Sequence, residues 1–219
     1  MYRAAILDMD GLLIDSERAI MRHWLEAADE CGNPLEVRHY LDAIGRRAEE
    51  SDRILREVLG SRFDVVKSKV DAKLTATDGS AIFPLKPGVA QFMFELSARQ
   101  IPCGVASSTE TAEVRRRLQS VGILHYFSVV VGGDTVERGK PDPGVYLLAA
   151  NLLEMKVKEC VAFEDSDNGV AAAHAAGIDV ILVPDVKVPS ERSRALCHGE
   201  LTSMTQATPK IDGWFVSST

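Results

Sequence analysis

The chain has 219 residues, 46% of them hydrophobic and 26% charged, and a net charge of -7 at pH 7. That length suits one sizeable domain or a core carrying a smaller insert, and the composition is that of an ordinary soluble globular protein. The acidic balance lacks the basic stripe a nucleic-acid partner requires, and the longest apolar runs are strand-length, too short to span a bilayer.

The chain opens on MYRAAILDMD, without an apolar h-region and small-residue cleavage site, so export is not expected. The first predicted strand covers residues 2–8 and ends in Asp8-Met9-Asp10. From Asp15 to about Ile82 the pattern changes to charged segments of helical period: SERAIMRHWLEAADECG, RAEESDRILREVLG and DVVKSKVDAKLTATDG. No strand is recognisable among them. They read as a helical subdomain inserted after the first strand, or as one long crossover of the main sheet. The insertion is preferred, because a crossover needs far fewer residues.

Four further apolar runs, 102–106, 127–131, 159–164 and 178–183, each follow a helical stretch: PGVAQFMFELSARQ, ETAEVRRRLQSVG, PGVYLLAANLLEM and NGVAAAHAAG. Gly122 and Gly177 end two of these helices as C-terminal caps. Strands alternating with helices imply a parallel α/β sheet covered on both faces. The expected division is a core of residues 1–15 and 83–219 with a helical cap over 16–82. Beyond about Pro184 no motif is recognisable, and the ending reads as a surface-packed or frayed tail. Cys31, Cys103, Cys160 and Cys197 are scattered without CxxC spacing, which fits thiols in a reducing cytosol better than a disulfide or zinc framework. Nothing in the pattern signals an interface, so a monomer is the default.

In an open parallel sheet, ligands bind beyond the carboxyl ends of the strands. The polar residues that interrupt the apolar pattern fall there: Asp8 and Asp10, then Ser107-Ser108-Thr109, then Lys140 in GGDTVERGKPDPG, then Glu164-Asp165. Each also has a plain reading. Asp165, Ser166 or Asp167 suits a helix cap, as does Ser107 or Thr109, and KPDPG and Asp10-Gly11 suit turns. Asp8 has no such reading, since a carboxylate at a buried strand end needs a cation or donors. Gathered carboxylates repel and need a cation; oxygen ligands without His or Cys select a hard ion, Mg²⁺. A lysine and a hydroxyl beside it make a pocket for a tetrahedral dianion such as a phosphoryl group. Strand alternation puts Asp8 and Asp10 on one side, so one can attack phosphorus while the other moves the leaving group's proton.

These motifs resemble those of the haloacid dehalogenase superfamily, in the branch of β-phosphoglucomutase and small sugar-phosphate phosphatases. DMDGLLIDSE, VASST, RGKPDPGVY and FEDSDNGVAAAHAAG match its four motifs in order, over roughly residues 1–185. The resemblance implies a Rossmann-like core with a helical cap that closes over the site. It implies Asp8 as nucleophile, forming an aspartyl-phosphate, and Asp10 as acid and base. Ser107, Ser108 and Lys140 would hold the phosphoryl group. Mg²⁺ would sit between Asp8, the Asp10 carbonyl and Asp165, with Glu164 a ligand directly or through water. The substrate implied is a small phosphorylated metabolite. Asp10 favours phosphate esters over halides or phosphonates. The mutases of this branch carry a histidine where this chain has Ile20; His23 lies about 300° further round the helix, which shifts weight toward a phosphatase. Arg46 and Arg47 occupy the place where cap loops approach substrate, with a solvated surface role as the alternative. A phospho-accepting receiver module is a further alternative, but its aspartate ends the third strand, and it lacks such an insert.

Overall fold

The structure, a computed structural model, describes residues 1–75 and 83–216. Six strands form one parallel sheet in the order β3-β2-β1-β4-β5-β6: β1 Ala4–Leu7, β2 Cys103–Ala106, β3 Val129–Val131, β4 Cys160–Glu164, β5 Asp179–Leu182 and β6 Gly199–Glu200. The first five lie within two residues of their expected ends. The first five strands alternate their side chains between two apolar layers. Ala5, Leu7, Val105, Val130, Val161, Phe163 and Ile181 face one; Ala4, Ile6, Ala106, Val131, Ala162, Val180 and Leu182 face the other. Burial on both faces explains the continuous apolar runs.

Helices cover both layers. On the first lie α5 (Val89–Ala98) and α6 (Thr111–Ser120), on the second α7 (Gly144–Leu152) and α8 (Asp167–Ala175). Gly122 and Gly177 adopt φ of +76° and +77° beyond the ends of α6 and α8, the left-handed conformation a C-terminal cap needs.

Between β1 and α5 the described chain forms four helices: α1 Glu17–Glu30, α2 Val37–Ala43, α3 Ala48–Leu59 and α4 Phe63–Thr75. They enclose an apolar cluster of their own, built on Trp24, Ala28, Tyr40, Leu55, Phe63 and Val66, with Trp24 stacked on Phe63 at 5.9 Å. The 3–4 spacing of these residues is what marks the segments as amphipathic helices. The sequence pattern missed α2, which is seven residues long and short of two full turns. The expected end of the insert at residue 82, and of its third segment at 79, lies outside the described residues. The strands of chain that lead in and out run side by side: Asp15 N–H donates to Pro84 O and Lys86 N–H to Leu13 O. Lys86 and Arg18 both pair with the buried Asp185 carboxylate.

The C-terminal segment departs from expectation. Instead of a surface-packed or frayed tail, β6 adds to β5 in register, Ile181 with Gly199 and Leu182 with Glu200, followed by a short helix, Ile211–Trp214. Leu201, Met204, Ala207, Ile211 and Phe215 are buried in the first apolar layer. A two-residue strand shows no periodicity of its own, and Pro209 interrupts the helical spacing. Among the described residues no helix is long and apolar enough to cross a membrane.

Candidate active site

The chain passes from β1 to β2 and β3 on one side, then crosses to β4 and β5 on the other. The strand order therefore reverses at β1 and β4, the place where an open parallel sheet offers a crevice. Asp8 follows β1 and Glu164-Asp165 end β4 at that crevice. Met9 turns into the apolar layer while Asp8 and Asp10 face away from it, as alternation requires.

Lys140 ties the acids together. It is 3% exposed, and its three ammonium hydrogens meet Asp8 Oδ1 at 2.5 Å, Glu164 Oε1 at 2.5 Å and the Ala106 carbonyl at 2.9 Å. Burial opposes its charge, but the Asp8 and Glu164 carboxylates hold its pKa above the usual lysine range. Burial pushes the Asp8 carboxyl upward against the pull of Lys140. Glu164 is satisfied on both oxygens: Tyr146 donates to Oε1 at 2.6 Å, and Oε2 accepts from the Asp165 and Ser166 amides and the Ser166 hydroxyl. The turn that brings those amides round also brings Gly169 against the Glu164 carboxyl. A β-carbon there would stand 1.8 Å from Glu164 Cδ, which explains the glycine.

Asp165 is different. It is buried, and no donor reaches its carboxylate among the described residues. Burial, then the Asp8 and Glu164 charges, push its pKa well above the carboxylate range. Single oxygens of Asp8, Glu164 and Asp165 lie within 4.8 Å of one another. Three buried carboxylates with one lysine, and one of them unpaired, fit a divalent cation in need of oxygen ligands. Asp165 and the free oxygen of Asp8 are the better candidates for direct contact, because Glu164 already has its full complement of donors.

The second aspartate sits in a cradle of three donors. Ser16 Oγ and Arg117 Nη1 reach Asp10 Oδ1 at 2.6 Å and 2.7 Å, and Thr109 Oγ1 reaches Oδ2 at 2.8 Å. Ser107 is buried beside Asp8 and accepts from the Thr109 amide, and Ser108 reaches the Gly45 carbonyl at 3.5 Å. A cavity of about 50 Å³ is lined by Asp8, Asp10, Ser107, Ser108, Lys140 and Asp165. A larger one of about 460 Å³ lies between the helical part and the sheet, lined by Asp10, Glu17, Tyr40, Arg46, Thr109 and Arg117 among others.

Every core residue singled out from the sequence thus comes to one rim. Several plain readings fall away. Ser166, not Asp165, caps α8, accepting from Gly169 N–H. Neither Ser107 nor Thr109 caps α6; Asp134 accepts the Thr111 amide and hydroxyl instead. In the cap loop, Arg46 lines both cavities and is held by the Asp42 carbonyl and Glu50. Arg47 has its guanidinium against the carbonyls of Val136 and Glu137, a clasp between the helical part and the sheet. Sequence reasoning missed Tyr146, Ser16, Glu17 and Arg117. Tyr146 and Ser16 stood inside quoted motifs, whereas Arg117 carried only a Glu113–Arg117 helical spacing that suits any solvated face.

A family model described as haloacid dehalogenase-like hydrolase matches residues 2–177. The chain belongs to that family. Its fold and motif order follow from that membership, and the receiver-module reading is set aside. The chain is 33% identical over 180 residues to a phosphorylated carbohydrates phosphatase of Thermotoga maritima, covering 81% of this chain and 83% of the relative. It is 29% identical over 192 residues to β-phosphoglucomutase of Bacillus subtilis, covering 80% of each. Among solved structures, a HAD family hydrolase from Deinococcus radiodurans R1, with bound phosphate and sodium, superposes with a TM-score of 0.78 at 26% identity, covering 99% of both chains.

Proposed function

We propose that this hydrolase is a Mg²⁺-dependent phosphatase of a small phosphorylated metabolite, with sugar phosphates as the leading class, working through an aspartyl-phosphate in the cytoplasm. The observation that carries the reading is the small cavity, where a buried Asp8 shares Lys140 with Glu164 and faces Ser107, Asp10 and the unpaired Asp165. The phosphatase names among the relatives, the bound phosphate of the structural relative and the four free cysteines agree with it.

Asp8, Asp165 and the Asp10 carbonyl would hold Mg²⁺, with Glu164 behind them; when bound, it offsets charge on the phosphoryl oxygens and carboxylates. Lys140, whose hydrogens already meet Asp8, Glu164 and the Ala106 carbonyl, acts on the phosphoryl group through its charge, and the Ser107 and Ser108 hydroxyls hold the phosphoryl oxygens. Asp8 attacks phosphorus, the ester bond to the substrate oxygen breaks, and Asp10 gives that oxygen a proton. A water then attacks the aspartyl-phosphate, Asp10 takes its proton, and the Asp8 carboxylate is restored. Arg46 and the side chains that the helical part contributes to the larger cavity select the rest of the substrate.

The same cavity argues against the mutase reading. Among its described lining residues there is no histidine; Ile20 lines it, and His23 lies beside Glu26 instead. The test is a panel of hexose, pentose and polyol phosphates scored for released phosphate with Mg²⁺, alongside Asp8→Asn and Asp10→Asn. Phosphate release abolished by chelation and by Asp8→Asn is expected. Turnover that survives chelation, or a phosphoryl label retained on the sugar with little free phosphate, would overturn the reading.

A further inference from the structure

We propose that Arg117 is a positioning residue for the second half-reaction, orienting the Asp10 carboxylate toward the water that hydrolyses the aspartyl-phosphate. This rests on the phosphatase reading above, which assigns Asp10 but says nothing of what holds it.

Arg117 is built into the core and is not a free arm for substrate. Its side chain is 15% exposed, and its guanidinium is fixed on three sides. Nη1 donates to Asp10 Oδ1 at 2.7 Å, Nε donates to Glu113 Oε1 at 2.6 Å, and the Phe83 ring lies 5.1 Å from the guanidinium carbon. A planar fork held at one end by Glu113 presents its other end in one direction. Glu113 and Arg117 are one turn apart on α6, so the helix itself sets the aim.

The three donors on Asp10 are not equivalent. Ser16 stands at the start of α1, in the chain leading to the helical part, whereas Thr109 and Arg117 belong to the sheet part. Arg117 is the charged one, and charge-assisted hydrogen bonds are roughly twice as strong as neutral ones. Arg117 therefore keeps Asp10 aimed along one direction whatever the helices above it do.

The Ser16 and Thr109 hydroxyls can donate or accept and so serve either form of Asp10, but Arg117 can only donate, and its bond is fully charge-assisted only with Asp10 as the carboxylate. The half-reaction that begins from that form is hydrolysis. There the water oxygen bonds to phosphorus, the bond from phosphorus to the Asp8 oxygen breaks with its electron pair going to Asp8, and the water proton passes to Asp10. In the first half-reaction Asp10 starts with a proton and gives it to the departing oxygen. Loss of Arg117 accordingly slows the second step more than the first.

The test mixes the Mg²⁺-loaded enzyme rapidly with an aryl phosphate whose phenol needs little protonation to leave. Arg117→Met is expected to release about one phenol per active site quickly, then turn over roughly 10–100-fold more slowly than wild type, part of the ~10²–10⁴-fold that positioned proton transfer supplies. KM should fall together with kcat, so that kcat/KM, set by the first half-reaction, moves little, and acid-quenched enzyme should carry phosphate. Arg117→Lys, which keeps a cationic donor, should recover most of the slow phase. Glu113→Gln, which leaves Asp10 untouched but loosens the fork, should show a weaker burst, and thermal melting shows that each variant is folded. Uniform slowing without a burst, an effect confined to KM, or Lys no better than Met would overturn the positioning role. Failure of the phosphatase reading looks different: wild type would trap no phosphate on Asp8, or Asp8→Asn would itself turn over, and the positioning role would fall with it.

Discussion

Replacing Lys140 by Met keeps the length and apolar stem of the side chain but removes three hydrogen bonds inside a buried site. Asp8 and Glu164, both buried, lose the ammonium that sits 2.5 Å from each. Removing one partner of a buried ion pair costs roughly 3–5 kcal/mol, because the remaining charge is stranded. In a chain of 219 residues each kcal/mol lowers Tm by about 2–4 °C, so a fall of roughly 6–20 °C is expected. The pH dependence follows from the same geometry. In wild type the Lys140 pKa is raised, so its contribution is fully present below the unfolded lysine value and constant between pH 5 and 8. In the variant, burial acts on the Asp8 carboxyl without the opposing pull of Lys140, so its folded pKa stands further above its unfolded one. The folded state then binds more protons, and stability falls as pH rises through that window. The deficit should thus be smaller at pH 5 than at pH 8. The assay is thermal unfolding of both proteins with a chelator present, since a bound divalent ion would stabilise the native state by mass action. A variant melting within about 2 °C of wild type at pH 8, or a deficit larger at pH 5, would refute the assignment of Lys140 as the charge that makes this buried site tolerable.

Other substitutions probe the supports around it. Gly169→Ala would set a β-carbon 1.8 Å from Glu164 Cδ, so overpacking of about 1–3 kcal/mol or more is expected in thermal melts, together with loss of activity. Gly11→Ala places a β-carbon 2.2 Å from Asp165 Oδ2 at a residue with φ +83°; Mg²⁺ affinity by calorimetry should fall roughly 10–100-fold. Burial raises the Glu17 carboxyl to about 8, so wild-type stability falls as pH rises from the unfolded carboxyl value toward 8. Glu17→Gln removes that titration, and its Tm should gain on wild type between pH 5 and 8 and stay level above.

How much of this was legible depends on whether a residue's role was written into its own neighbourhood. The five longer strands announced themselves because both faces are buried and, apart from Glu164 and Asp179 at strand ends, their side chains are apolar. Gly122 and Gly177 could be assigned because a helix end with positive φ needs a glycine. Asp8 could be assigned because no plain role suits a carboxylate at a buried strand end. The roles that depend on a distant partner were not legible. Arg117 became meaningful only once α6 was seen to lie across from the loop after β1, and Tyr146 only once α7 placed its hydroxyl on Glu164. The segment 199–215 failed for the same reason: β6 exists because β5 offers it an edge, not because two residues favour extension.

The charges at the rim explain why these partners had to be recruited. Fully ionised, Asp8, Glu164 and Asp165 would bring three negative charges within 4.8 Å of one another, against one positive charge from Lys140. At an effective dielectric near 20, each unit pair at that separation is worth roughly 3–4 kcal/mol, so the resting site already leans toward repulsion. The fold contains it unevenly. Glu164 is surrounded by donors and Asp8 shares the lysine, while Asp165 is left bare. A phosphoryl dianion entering the 50 Å³ cavity adds two more negative charges beside that bare carboxylate. One ammonium and two serine hydroxyls cannot balance such a sum, whereas a divalent cation between Asp8 and Asp165 would offset the three carboxylates together with Lys140 and halve the net negative charge once the dianion is bound. The unpaired Asp165 is thus the residue through which the protein's own electrostatics ask for the metal. The donors crowded onto Glu164 are what let the site remain folded without it.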